Sequence, residues 1–189
     1  GWPASADAAV LALRAFSALT GVVHLVLVFG CLRLVFPCQP RRQIVGLLVA
    51  GYLPMQLCLS HHITNEGLAA LFVTAALYCS LRLLRAETRT AGFAMAAGAC
   101  LGLALLAKFS ALVAIPFVLV ALSWPRGPGG TPGKALSSAT FLLISLLVVC
   151  GWHFARVWHR FGTPLIGNWD PRLPFAWWQD PGYHTGGWY

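Results

Sequence analysis

The sequence predicts an all-α protein: a polytopic transmembrane helical bundle of about six helices, with an irregular, aromatic-rich outer loop at its C-terminal end. Three observations lead there. Hydrophobic residues make up 58% of the 189-residue chain and charged residues 10%, against roughly 25% in ordinary globular domains, and mean hydropathy is +0.73. The few charges cut the chain into apolar pieces of similar length. Most of the 13 basic residues border those pieces, which is a topology signal. In a soluble protein the formal charge of +8 would hint at nucleic acid. Here it does not, and the expected surroundings are a lipid bilayer.

The pieces follow in order. Eighteen uncharged residues lie between Arg14 and Arg33, and eighteen more between Arg42 and His61. Gly67–Leu84 is interrupted only by Arg82, near its end; Thr90–Ala107, Phe109–Pro125 and Ala135–Trp152 complete the set. Eighteen helical residues span about 27 Å, close to a hydrocarbon core of roughly 30 Å. Pro54 and Pro116 are tolerated kinks of the kind membrane bundles allow. Gly98-x-x-x-Gly102 lets two helices approach closely. Lys108 separates two apolar runs that together are too long for one span, so a reversal of the chain is expected there. The Gly/Pro-rich stretch Trp124–Gly133 cannot continue a helix.

Alternation sets orientation. One family of loops carries Arg33, Arg41, Arg42, Arg82, Arg85, Arg89, Arg126 and Lys134; the other carries Arg14, Lys108, Arg156, Arg160 and Arg172. The richer set belongs in the cytoplasm. Four of the five acids, Asp7, Glu66, Asp170 and Asp180, then fall outside, with only Glu87 inside. The outer side therefore holds the polar knot Ser60–Glu66, Lys108 and the tail. Cys31, Cys38, Cys58, Cys79, Cys100 and Cys150 form no C-x-x-C pair, and five of them lie in apolar segments, so no disulfide framework is expected. No charged n-region with a small-residue cleavage site precedes the first apolar run, so no signal peptide is expected. The chain opens at Gly1 without Met and stops inside a polar stretch, so it reads as a fragment. Residues 1–157 form the membrane core and 158–189 the start of an extracytoplasmic loop.

The candidate chemistry gathers outside. Glu66 has a structural account, in which Thr64 or Asn65 caps the following helix and the carboxylate sits in its first turn. It also has a functional one, in which an ionisable group at the membrane boundary orients a polar ligand or a metal. The two are compatible. His61 and His62 diverge by about 100° if helical, so they make poor joint ligands for one metal. In the same register His61 shares a face with Asn65, and His62 with Glu66. No metal site is assigned, and a divalent ion stays an open alternative. Lys108 is either a snorkelling interface lysine or a point charge for a phosphate. In the tail, Asp170, Trp177, Trp178 and their neighbours Asn168, Gln179, Asp180 and His184 mix flat aromatic faces with hydrogen-bonding groups. That mixture suits a sugar or a lipid head group, and equally an interfacial aromatic belt.

The order of short motifs resembles a known family. An out-to-in helix ends in C-L-R-L-V-F-P, and an in-to-out helix carries Y-L-P. An outer N-E opens the next helix, which ends in L-R-L-L-R. Gly102-Leu-Ala-Leu-Leu-Ala-Lys108-Phe-Ser follows, then a helix containing Pro116. From roughly Ala8 to Val157 this is similar to the membrane core of the GT-C superfamily of polyprenyl-phosphate-sugar-dependent glycosyltransferases. That superfamily includes protein O-mannosyltransferases, the lipid A aminoarabinose transferase and rhizobial lipopolysaccharide sugar transferases.

The resemblance implies an inverting transfer from a polyprenyl-phosphate-linked sugar donor to a lipid, glycan or protein acceptor at the outer face. The implied setting is a bacterial cytoplasmic membrane, with the active side outward. It also implies a general base in the first outer loop, upstream of Gly1; Asp7 is not promoted to that role. Asn65-Glu66 falls where the family has its second outer acidic motif, usually an Asp in several branches, so Glu66 would help arrange the acceptor or a metal. His61, His62, Lys108 and the tail would line the same pocket. Two other classes compete. A transporter or flippase would place polar residues at mid-membrane, and a non-catalytic scaffold would need no outer carboxylate.

Overall fold

The computed structural model describes residues 6–61, 64–85, 91–123 and 132–162, without the side chains of 6, 7, 58–61, 123, 132–135 and 161. His62, Asp170, Trp177 and Trp178 lie outside the described residues, as does the side chain of His61. Among the described residues the fold is all-helical: α1 (Ala6–Val35), α2 (Pro40–Gly51), α3 (Pro54–His61), α4 (Glu66–Arg85), α5 (Ala91–Ala107), a 3₁₀ turn (Phe109–Val113), α6 (Ala114–Ser123) and α7 (Pro132–Phe161).

Three of these helices are long and apolar enough to cross a membrane, Ala8–Val35, Glu66–Arg85 and Leu136–Arg160, and Ala91–Ala107 and Phe109–Leu122 are shorter apolar helices. The second expected span is broken rather than kinked. α2 stops at Gly51 with the Tyr52 amide on the Leu48 carbonyl, and the next bond of this kind runs from Leu57 to Leu53. Pro54 has no amide hydrogen to continue the ladder, and it disfavours helical backbone at Leu53, so it starts a new helix instead of bending the old one. Pro116 falls in the first turn of α6, where a missing amide hydrogen costs little.

The chain divides into two compact units, Gly1–Cys150 and Gly151–Tyr189. In the first, α1 and α4 run parallel: Gly30 lies against Tyr78, His24 bonds Thr74 and Arg85 reaches the Val35 carbonyl. α2 returns antiparallel to α1, with Gly46 against Leu32 and Gly51 against Leu25. α5 is antiparallel to α4, with Asn65 joined to Ala107 at one end and Arg82 over the Phe93 ring at the other. α6 packs back on α4 and buries Val118 and Leu122, so the chain does reverse at Lys108.

The start of α7 runs parallel to α5 and very close to it. A Cβ added at Gly98 would lie 2.1 Å from the Leu142 carbonyl oxygen, and one at Gly102 would lie 2.9 Å from the Val149 side chain. The Ser145 hydroxyl donates to the Met95 carbonyl at 2.8 Å across the same seam. The small-residue spacing therefore does what it predicted. Small side chains let backbones touch, and dispersion replaces the hydrophobic drive that lipid cannot supply.

These directions separate the ends of the first unit. Arg33, Arg41, Arg42, Arg82 and Arg85 collect at one end, and Asn65, Glu66 and Lys108 at the other. In the second unit the helix continues from Gly151 to Phe161, with Arg156 over the Trp152 ring at 5.6 Å. It stops at Gly162, whose φ of +74° suits a residue without a Cβ. The Gly162 amide returns to the Trp158 carbonyl at 2.8 Å.

Candidate functional site

The junction between α4 and α5 is built by two adjacent pairs. α5 ends because Lys108 takes extended backbone angles, φ −153° and ψ 124°. Its amide still closes the last turn onto the Ala104 carbonyl at 2.8 Å, and its carbonyl accepts from the Ala111 amide at 3.1 Å. A lysine at the end of an apolar run gains by leaving the hydrocarbon, and this break lets its side chain turn outward. The ammonium donates to Oε1 of Glu66, in the first turn of α4. One residue earlier, Nδ2 of Asn65 donates to the Ala107 carbonyl at 2.7 Å, one of the carbonyls a helix C-terminus leaves without an internal partner.

The electrostatics agree with the helix directions. A carboxylate sits at the positive end of the α4 dipole and an ammonium at the negative end of α5, so each is favoured by its own helix before the two meet. Both side chains keep about a third of their surface exposed, 38% for Lys108 and 34% for Glu66. A polar ligand can therefore still reach either one.

Beside this junction a cleft of about 280 Å³ opens between α1 and the start of α4, with Leu13, Phe16, Ser17 and Thr20 on one wall and Asn65 and Leu68 on the other. Its lining is largely apolar. Ser17, Thr20 and His24 follow one another at i, i+3 and i+7 along one face of α1. The Thr20 hydroxyl turns to its own helix, on the Phe16 carbonyl at 2.9 Å. Deeper in, His24 Nε2 and the Thr74 hydroxyl lie 2.9 Å apart, and the Gln56 side chain also bonds the imidazole.

Of the expected site residues, the structure brings Asn65, Glu66 and Lys108 together. α3 ends at His61 and α4 begins at Glu66. Thr64 and Asn65 between them are not helical, so helical register does not run unbroken from α3 into α4. The pairing expected of His62 and of the His61 side chain lies outside the described residues. Asn65 also does more than mark the start of α4, because its amide crosses to α5. Among the described residues, no three His, Cys, Asp or Glu side chains converge as a metal site would need. Sequence reasoning missed Thr74 and Gln56 as partners of His24. The available signal was that each is an uncharged polar residue inside an apolar segment. It also missed the Ser17–Thr20 wall, which the three- and four-residue spacing could have shown.

The long apolar helices define a class, an integral membrane protein. Residues 6–152 match the family model described as dolichyl-phosphate-mannose-protein mannosyltransferase. The chain belongs to that family. It is a mannosyltransferase-type glycosyltransferase, and its donor is a polyprenyl-phosphate-linked sugar. No curated protein and no solved structure matches the chain.

Proposed function

We propose that the Asn65–Glu66–Lys108 junction forms one wall of the transfer site, at the outer face of a bacterial cytoplasmic membrane. Sugar passes there, with inversion, from a polyprenyl phosphate to a lipid, glycan or protein acceptor. The observation that carries this reading is the Glu66–Lys108 pair, set next to Asn65, which lines the α1–α4 cleft. The lipid part of the donor would lie among the helices, and its phosphate would come to the Lys108 ammonium, a point charge able to take an anion.

In this reaction the acceptor hydroxyl attacks the anomeric carbon from the face opposite the phosphate. The new carbon–oxygen bond forms as the bond to the phosphate oxygen breaks. The phosphate leaves with the bonding pair, and the acceptor proton passes to a general base. Lys108 would offset the charge that builds on the leaving oxygen. Glu66, released from Lys108 by the phosphate, would hold the acceptor in line for attack. His61 and His62 would add polar groups near the junction, with a divalent metal as a further element, and Asp170, Trp177 and Trp178 would by themselves offer contacts for a sugar or a lipid head group.

The test is sugar transfer by the full-length protein in membranes, using a polyprenyl-phosphate-linked mannose. Lys108→Met should raise the donor KM, and Glu66→Gln should mainly lower kcat, each by at least about tenfold. Unchanged turnover in both variants would reduce the pair to a helix-end contact. A transporter or flippase would instead move the lipid-linked donor between leaflets without consuming it.

A further inference from the structure

At the opposite end of the first unit five arginines gather, and among the described residues no carboxylate lies at that end. Arg33 closes α1, Arg41 and Arg42 open α2, and Arg82 and Arg85 close α4. Among the described residues the acids are Asp7 and Glu66, both at the other end. The corner between α1 and α2 is held firmly. Cys38 takes a left-handed φ of +59°, and Pro40 begins α2. Nε2 of Gln43 donates to the Phe36 carbonyl at 2.7 Å, and Arg42 lies over the Phe36 ring at 5.9 Å. Arg85 of α4 is tied to the same corner through Nη2, 3.4 Å from the Val35 carbonyl. A cleft of about 320 Å³ opens there, lined by Gln39, Pro40, Arg41 and Arg42.

The surface leading away from this corner is apolar. No residue of α2 is buried, and Ile44, Val45, Leu48 and Val49 are all exposed. Val45, Leu48 and Val49 follow Arg41 and Arg42 at three-, four- and seven-residue steps, so they continue the face that the arginines begin. Twelve helical residues rise about 18 Å, comparable with a phospholipid acyl chain. The strip thus carries fixed positive charge at one end and an uncovered apolar track beyond it.

We propose that the α1–α2 corner is a binding site for an anionic phospholipid. Its phosphate would sit in the cleft between Arg41 and Arg42, with Arg85 beside it, and its acyl chains would lie along α2. The charge selects the head group, since basic residues near the surface attract anionic lipid. The apolar track selects a lipid over a free phosphate, because a soluble anion leaves Val45, Leu48 and Val49 uncovered. The site is separate from the sugar-transfer junction and does not depend on the function proposed for it.

The experiment is lipid retention by native mass spectrometry, on full-length protein in neutral detergent. It compares phosphatidylglycerol with phosphatidylcholine of the same acyl chains, with inorganic phosphate as the third probe. Wild-type protein should retain phosphatidylglycerol about tenfold better. Arg41→Gln with Arg42→Gln should bring the two lipids to parity, while Arg14→Gln, at the far end of α1, should leave the preference intact. Equal retention of both lipids by the wild type overturns the proposal without reference to any variant. So does a preference that survives the double substitution in protein of unchanged helicity. Displacement of the bound phosphatidylglycerol by millimolar inorganic phosphate would mark a soluble-anion site instead, and would overturn the lipid assignment.

Discussion

The α4–α5–α7 side of the first unit and its α1–α2 side use the same apolar alphabet for opposite purposes. On the first side, small residues disappear into helix contacts: Ala76, Ala94, Ala97 and Ala104 have no exposed surface. Gly98 leaves no room for a methyl group against the Leu142 carbonyl. On the second side, α2 buries nothing and turns Ile44, Val45, Leu48 and Val49 outward. The lesson concerns placement. The candidate transfer junction is mounted on the closely packed pair, where helix ends are fixed by backbone contact. The charged corner that meets lipid sits on the loosely covered helix, where access matters more than rigidity.

The strongest way to break this contrast is at the glycines. Gly98→Ala puts a Cβ 2.1 Å from a backbone oxygen, so α5 and α7 must separate. We expect a loss of about 3 kcal/mol, the upper range for overpacking, seen as a large drop in melting temperature in detergent. Gly46→Ala on α2 meets only the tips of Leu32, which can rotate away, and should cost less than about 1 kcal/mol. Equal losses at the two positions would erase the distinction.

A second test uses the junction. Glu66→Lys alone sets two ammonium groups face to face and should lower both transfer and stability. Adding Lys108→Glu restores an ion pair of reversed sense. The double variant should recover the melting temperature, a change of no more than about 1 kcal/mol for a partly exposed pair. It should not recover transfer, because the phosphate would then meet a carboxylate. Recovery of transfer would show that the pair acts only as a strut.

Asn65→Leu sharpens the comparison further by removing the amide that reaches Ala107. The exposed carbonyl can still find water, so about 1 kcal/mol or less should be lost, with a transfer defect larger than that figure if the junction's geometry matters. The smallest effect is expected at Thr74→Val. Interhelical hydrogen bonds inside membranes average about 0.6 kcal/mol, and His24 keeps the Gln56 contact. Thermal unfolding of the two single variants and of Thr74→Val with Gln56→Leu would measure that shared support.

Much of this was legible along the chain because it depends on neighbours in sequence. Segment length and charge spacing marked most of the apolar helices, the divided α2–α3 span apart, and put Arg33, Arg41, Arg42, Arg82 and Arg85 at one end. The small-residue spacing at Gly98 and Gly102 announced a close approach, and the position of Glu66 ahead of an apolar run announced a helix start. The resemblance to membrane glycosyltransferases rested on the same local phrases. The break between α3 and α4 was not legible in the same way: Thr64 and Asn65 are not helical, so helical register could not be carried from one helix into the next.

By itself, then, the sequence determined an α-helical membrane protein, the gathering of Arg33, Arg41, Arg42, Arg82 and Arg85 at one end, and a carboxylate and a lysine together at the other. Only the tertiary structure decided that Glu66 and Lys108 meet, that Asn65 serves the last carbonyl of α5, that Leu142 is what Gly98 makes room for, and that Pro54 divides a span in two. Hydropathy and helical periodicity act over a few residues and are written along the chain. Which side chains touch across 42 or 44 positions is set by how whole helices pack, and no local rule contains that.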